Sequence, residues 1–394
     1  MKKSTLLAIF FFVIGLTIPF NIIFLITENV ITENINNYPV NKLTELIKLK
    51  KETEQPQLKS LPAPEKVKGI YLTGYTFSND KSRDNLIKLI KTTELNSLVI
   101  DVKDGNGKLM FTPQNEKLKS IPISTHSLSN AKIIELLKDL QEKEIYTIAR
   151  ITTFQDSIAV QTFPGLALKN KSGNIWKNWQ GISWLDMTNP NAWEIPVLEA
   201  KEVIKLGFDE IQFDYIRFPS DGNISTIQYH NLPPEKRKYE VLSDFYKYIQ
   251  EELKEFNAPV SIDLFGLTYE RRKNPHYDLN IGQKLSEASL YFDYISPMVY
   301  PSHYPKNYLG FENPAEHPYE IINRAMKEGD FILKNTTSSK ALTRPWLQDF
   351  DIGAVYDAKK MQAQIKACDD NNTSGWLLWN PLNRYTVEAF RKSN

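Results

Sequence analysis

A single cysteine, Cys368, stands among 394 residues, so no internal disulfide can form. It falls in the helical pattern DAKKMQAQIKAC and reads as a small buried side chain, not a nucleophile. Histidines are few, five in all, and no Cys/His cluster occurs, which argues against a zinc site. No metal is expected, and no organic cofactor is implied. Neither sign of charge dominates: Lys and Arg total 48 against 47 for Asp and Glu. Without a basic patch interleaved with aromatics, nucleic acid is excluded as a partner. The Gly-x-Ser-x-Gly elbow of serine hydrolases and the His-Glu-x-x-His helix of zinc proteases are both missing, so nothing favours an ester or amide substrate.

What the chain does have is a repeat. Eight β-rich runs alternate with amphipathic helical patterns: 69–75, 97–103, 146–152, 210–219, 259–266, 294–300, 344–350 and 375–381. Strand alternating with helix means a parallel sheet, and eight units predict a closed (β/α)8 TIM barrel, an α/β fold over 67–394. Barrel enzymes react at the carboxyl ends of the strands, so polar residues there are the candidates.

The N-terminus is different. Lys2 and Lys3 precede an uncharged apolar run over 5–26, which as a helix would span roughly 33 Å, enough for a bilayer core. No Ala-x-Ala site and no lipobox cysteine follow it. The run reads as an uncleaved signal anchor, with cleavage and secretion as the alternative. The positive-inside rule then puts the barrel outside the cytoplasm, on a single-pass span in the cell membrane. Residues 28–66, polar and rich in proline, read as a flexible tether.

Alternate residues of a strand face opposite sides, and the outward face of a barrel must be apolar to pack on helices. Ile211 and Phe213 therefore turn Gln212 and Asp214 inward, and Val260, Ile262 and Leu264 do the same for Ser261 and Asp263. By the same parity Asp101 and Lys103, Tyr71 and Tyr75, Ser296 and Tyr300, and Arg344, Trp346 and Gln348 face inward. Asp349 faces outward unless a bulge intervenes. Parity leaves the last strand, with Trp376 and Trp379 on opposite faces, unsettled.

Two inward aspartates on neighbouring strands match glycoside hydrolysis, in which one carboxylic acid protonates the leaving oxygen while a carboxylate attacks or activates water. Asp214 and Asp263 are the expected catalytic pair. Asp101, Lys103, Arg150, Gln212, Glu270 and Asp349 are candidate supporting residues. The bland alternative is an internal salt-bridge network in which the two aspartates pair with Arg150, Lys103 or Arg344.

After the third strand runs a loop of about 37 residues, long enough to expect a function. It carries Trp176, Trp179 and Trp184, whose indole faces suit pyranose stacking. Tyr75, Tyr300, His303, Arg344, Trp346, Gln348, Trp379 and Asn380 complete the expected substrate contacts. The expected partner is a polysaccharide or oligosaccharide; oligomeric state is not legible.

The strings VIDVKD, QFDYIRFP, SPMVYPSHY, RPWLQDF and LLWNP, in this order, resemble a bacterial family known as "putative glycoside hydrolase domains", within the TIM-barrel glycosidase superfamily. The resemblance covers about residues 67–390 and implies a (β/α)8 fold, an envelope location and action on a polysaccharide. The carboxylates on strands four and five also look like those of α-amylase-type barrels, where an Asp on strand four is the nucleophile and a Glu on strand five the acid. Here Asp263 stands on strand five, and Arg217 follows Asp214 instead of preceding it. Glu270 is the fallback acid. A barrel that binds envelope glycan without cleaving it is the alternative function.

Overall fold

The computed structural model describes residues 60–393. The apolar run 5–26 and the polar stretch up to residue 59 lie outside the described residues. No described helix is long and apolar enough to cross a membrane.

Eight parallel strands form the barrel: β1 Val67–Leu72, β2 Ser97–Asp101, β3 Tyr146–Thr152, β4 Glu210–Asp214, β5 Val260–Phe265, β6 Tyr294–Met298, β7 Trp346–Gln348 and β8 Gly375–Trp379. Each pairs with its successor, and β8 pairs with β1, which closes the ring. The narrowest join is β6 to β7, where Trp346 sits opposite Met298. The expected seventh strand over 344–350 is broken. Leu342–Thr343 pairs with β6 on its own, and Arg344 and Pro345 interrupt it before β7. Pro345 brings no N–H to a ladder. The fourth strand stops at Asp214 instead of running to 219, because Tyr215 turns into the left-handed region at φ 52°.

Helices α1 Asp80–Thr92, α2 Asn130–Glu142, α3 Pro190–Leu206, α4 Lys238–Leu253, α5 Leu285–Ala288, α6 Pro318–Lys334 and α7 Ala358–Asp370 each follow the strand of the same number. The eighth unit ends in a single turn, Val387–Ala389, not a full helix. Local sequence explains these helices. In α2, Ser129 caps the first turn by accepting from Lys132 N, and Ile133, Leu136, Leu137 and Leu140 bury one stripe. In α7, Asp357 caps and Met361, Gln364, Ile365 and Cys368 face the sheet. Cys368 is fully buried, and burial raises its thiol above the ordinary range.

Most of the core lies between sheet and helices. A smaller apolar cluster fills the barrel: Val67, Tyr71, Val99, Tyr146, Ile148, Trp346 and Leu377. Strand β8 thus points Leu377 and Trp379 inward, while Trp376 packs outward against Phe390. Gly375 begins β8 at φ 102°, and a Cβ there would come within 1.8 Å of the Val67 carbonyl oxygen, so β1 and β8 can meet only over a glycine.

The barrel begins earlier than residue 67. Leu61 and Ala63 pack against the interior cluster, and Leu61 N donates to Asp209 Oδ1 at 2.6 Å, just before β4 starts. Residues 61–66 therefore cover the amino-terminal mouth of the barrel and do not belong to a tether. Prolines 62 and 64 hide this in the sequence, because they carry the composition of a linker around two side chains that are used for packing.

Candidate active site

The inward charges separate into two layers along the barrel axis. Near the amino-terminal end, Arg344 and Glu210 pair side by side, both 0 % exposed. Tyr146 donates to Glu210 Oε2 at 3.0 Å, and Ser261 donates to Glu210 Oε1 at 2.6 Å. One cation meets one carboxylate, and further donors fill the carboxylate's remaining lone pairs.

At the carboxyl ends of the strands the ratio changes. Arg150, the inward residue of β3, stands between three aspartates from β2, β4 and β5. Its Nη1 donates to Asp101 Oδ1 at 2.6 Å, its Nη2 donates to Asp214 Oδ2, and its Nε lies 3.6 Å from Asp263 Oδ2. The guanidinium also lies over the rings of Tyr71 and Trp379, at 5.7 and 5.1 Å. Burial opposes the charge of Arg150, but Asp101 and Asp214 outweigh it and hold the guanidinium well above its ordinary value.

The three carboxylates have different surroundings. Asp214 accepts from Arg150 and from the Tyr215 N–H at 2.5 Å. Asp101 accepts from Arg150 and from the Tyr71 hydroxyl at 2.5 Å. Burial raises the Asp101 carboxyl despite the nearby arginine. Asp263 is the deepest: Trp346 Nε1 donates to its Oδ1 at 2.8 Å, while its Oδ2 is sealed with no hydrogen bond. Burial, then the charge of Asp214, pushes the Asp263 carboxyl well above the carboxylate range. Side-chain exposure is 11 % for Asp101, 8 % for Asp214 and 1 % for Asp263. Aromatic walls surround the cluster: Tyr71 stacks on Trp379 at 4.0 Å, and Trp379 meets Trp346 edge-on at 5.8 Å. Burial and the charges of Asp263 and Asp214 keep the Tyr300 phenol well above its ordinary value, as a hydroxyl donor.

Of the supporting candidates, Asp101 and Arg150 enter the cluster. Gln212 lies below it, bonded to Ser296 at 3.2 Å. Lys103 is not inside the barrel. Because β2 ends at Asp101, Lys103 leaves the strand's alternation and reaches Asp156 and Glu199, each at 2.9 Å, in a sealed triad behind the sheet. Burial in that triad pushes Glu199 up to about 7. Glu270 pairs instead with Arg272. Asp349, outward as parity requires, accepts from Thr386 N and Oγ1 and fixes the carboxyl-terminal loop. Arg344 belongs to the lower ion pair and cannot reach a substrate.

The expected sugar contacts divide in the same way. Trp346, Trp379 and Tyr300 line the cluster. Gln348 is sealed in backbone hydrogen bonds to Ser302 and Phe350, and Asn380 closes the turn before Leu382. Trp176 and Trp184 are buried and pin the long loop, Trp176 by donating to Asn223 O. Trp179 and Tyr75 are exposed, at 77 % and 54 %. His303 is exposed beside Tyr300, bonded to Ser302 at 3.0 Å. Two residues escaped the sequence reading of the site. Tyr71 was legible as inward, but only the fold shows that it holds Asp101. Arg217 was legible only by its place after Asp214 and its apolar neighbours in QFDYIRFP.

A family model described as "Putative glycosyl hydrolase domain" matches residues 69–385. The chain belongs to this family. Its members' description and the barrel make it a glycosidase-type enzyme acting on carbohydrate. A hypothetical protein from Ruminiclostridium thermocellum is 30 % identical, over 49 % of this chain and 96 % of that one, with a TM-score of 0.45. The PgaB (BpsB) glycoside hydrolase domain from Bordetella bronchiseptica has a TM-score of 0.59 at 13 % identity, covering 84 % of this chain and 99 % of that one. Alpha-L-fucosidase isoenzyme 2 from Paenibacillus thiaminolyticus has a TM-score of 0.54 at 11 % identity, covering 82 % and 48 %. At these identities the last two share the fold. No curated protein matches the chain.

Proposed function

We propose that the chain is an extracytoplasmic glycoside hydrolase that cleaves a polysaccharide with the carboxylates around Arg150. Asp214, held by Arg150 and the Tyr215 N–H, is the partner that attacks the anomeric carbon or activates water. Asp263, with its raised pKa, carries the proton for the leaving oxygen. The observation behind this reading is the ratio of three carboxylates to one cation at the catalytic end of the barrel. A lone arginine cannot neutralise three aspartates, so one of them favours the protonated form. Exposure favours a second assignment of the acid: Asp101 also has a raised pKa and is the most open of the three. The apolar run behind Lys2 and Lys3 supports an anchored barrel outside the cytoplasm.

The test is a panel of envelope and extracellular polysaccharides assayed for released reducing ends, with wild type and the Asp101→Asn, Asp214→Asn and Asp263→Asn variants. Asp214→Asn should lower turnover by about 10²–10⁴ or more. Of the other two, the variant with the greater loss and an altered alkaline limb of the pH profile identifies the acid. Glycan binding with no release by wild type would replace the enzyme with a binding barrel.

A further inference from the structure

Four arginines are buried among the described residues: Arg83, Arg150, Arg217 and Arg344. Three of them pair with carboxylates. Arg217, 7 % exposed, forms no ion pair among the described residues. Its charge is instead enclosed by aromatic faces: Phe265 at 4.8 Å, Trp184 at 5.1 Å and Tyr215 at 5.2 Å from the guanidinium carbon. Cation–π contacts of this kind offset part of the cost of burying a cation, and burial still disfavours its charge.

Nη1 is fully used. It donates to the Phe218 carbonyl and to Ser220 Oγ, both at 3.1 Å. The opposite edge, formed by Nε and Nη2, has no hydrogen-bond partner among the described residues, and neither atom is sealed from solvent. That edge presents two parallel N–H donors, the fork that fits the two oxygens of a carboxylate. Its place is equally specific. Tyr215 follows Asp214 directly and turns the chain at φ 52°, an unusual conformation for a tyrosine. Phe265 ends β5, two residues beyond Asp263. The guanidinium therefore lies among residues at the carboxyl ends of β4 and β5, with Trp184 of the long loop on it, and near enough to Asp214 for that carboxylate to favour its charge.

We infer that Arg217 binds a carboxylate of the substrate, so that the glycan this barrel takes contains uronic acid at a sugar bound next to the cleavage point. Placing that carboxylate on a sugar rests on the glycoside hydrolase reading above. The aromatic cage holds the guanidinium plane fixed, so the fork is prepared before the ligand arrives. A neutral sugar in the same position would leave the edge unpaired.

The experiment compares polygalacturonate, alginate and hyaluronan with the same polymers after chemical reduction of their carboxyl groups. Full chain in mild detergent is run by affinity electrophoresis, and reducing ends are measured in parallel. At least one acidic polymer should bind about tenfold or more tightly than its reduced form. Arg217→Gln should erase that preference, and Arg217→Lys, which keeps charge but loses the fork, should erase most of it. Unchanged melting temperatures identify variants whose cage has survived, and the reduced polymers test wild type without any substitution. Dextran sulfate bound as tightly as the polyuronates would overturn the carboxylate assignment. Equal retention of acidic and reduced polymers by wild type, or no retention of any acidic polymer, would overturn the inference altogether. Cleavage of neutral glycans alone would do the same while leaving the glycosidase intact. Arg217-dependent binding of polyuronate without release of reducing ends would instead keep this site and remove the glycosidase.

Discussion

The two ends of the barrel interior carry similar residues and arrange them differently. At the base, Glu210 meets Arg344, and hydroxyls of Tyr146 and Ser261 fill the remaining acceptor sites, with nothing exposed. At the top, Asp101, Asp214 and Asp263 share Arg150, one carboxylate oxygen is left without a partner, and two of the three side chains keep some exposure. A buried charge network that is balanced is a structural solution; one with excess carboxylate holds a proton and a free acceptor in reserve. Strand parity alone would not have separated them, since both sets are inward and charged.

Exchanging one residue at each end should break the comparison most sharply. Asp214→Asn is expected to abolish most turnover, by about 10²–10⁴ or more, with little change in melting temperature. Glu210→Gln is expected to do the reverse, costing roughly 3–5 kcal/mol because Arg344 is left buried without its counter-charge, while the folded fraction stays active. Activity and thermal denaturation measured on both variants decide it. If both lose only stability, the upper cluster is structural too.

Asp263 offers a pH test. Its folded pKa is raised, so the native state keeps a proton that the unfolded chain releases above about pH 4. The stability this proton brings is complete below about pH 4 and is lost as pH climbs toward the folded value. Asp263→Asn has no such loss, so its melting temperature should gain on wild type as pH rises from about 4 to 7. A constant difference across that range would mean that Asp263 ionises as an ordinary aspartate.

Smaller effects sharpen the picture at each end. A chain beginning at Pro64 lacks Leu61 and Ala63 and should lose about 1–3 kcal/mol relative to one beginning ahead of Leu61, read from denaturant midpoints. Tyr71→Phe removes one hydrogen bond to Asp101 and should lower turnover by about tenfold or less, with stability changed by roughly 0.5–1.5 kcal/mol. A larger kinetic loss would promote Tyr71 from support of Asp101 to contact with substrate.

Much of this was legible in the sequence. The alternation of Ile211 and Phe213 with Gln212 and Asp214 had to orient the strand, because an outward charge would have been driven into the helices, and eight such runs had to close. The same logic put Asp101, Asp263 and Trp346 inside and Asp349 outside. It failed where the regular backbone stopped. Lys103 was counted inward because β2 was carried two residues too far, and Arg344 was expected at the substrate although it lies below Trp346. It also failed for Leu61 and Ala63, hidden among prolines.

Sequence alone determined the barrel and the direction of its aspartates, since periodicity is a local property and burial reads it residue by residue. Only tertiary structure decided which charges balance and which remain in excess. Glu210 and Arg344 are 134 residues apart, and Arg150 reaches Asp101 and Asp214 across separations of 49 and 64. Electrostatic pairing depends on distances that exist only once the strands have closed.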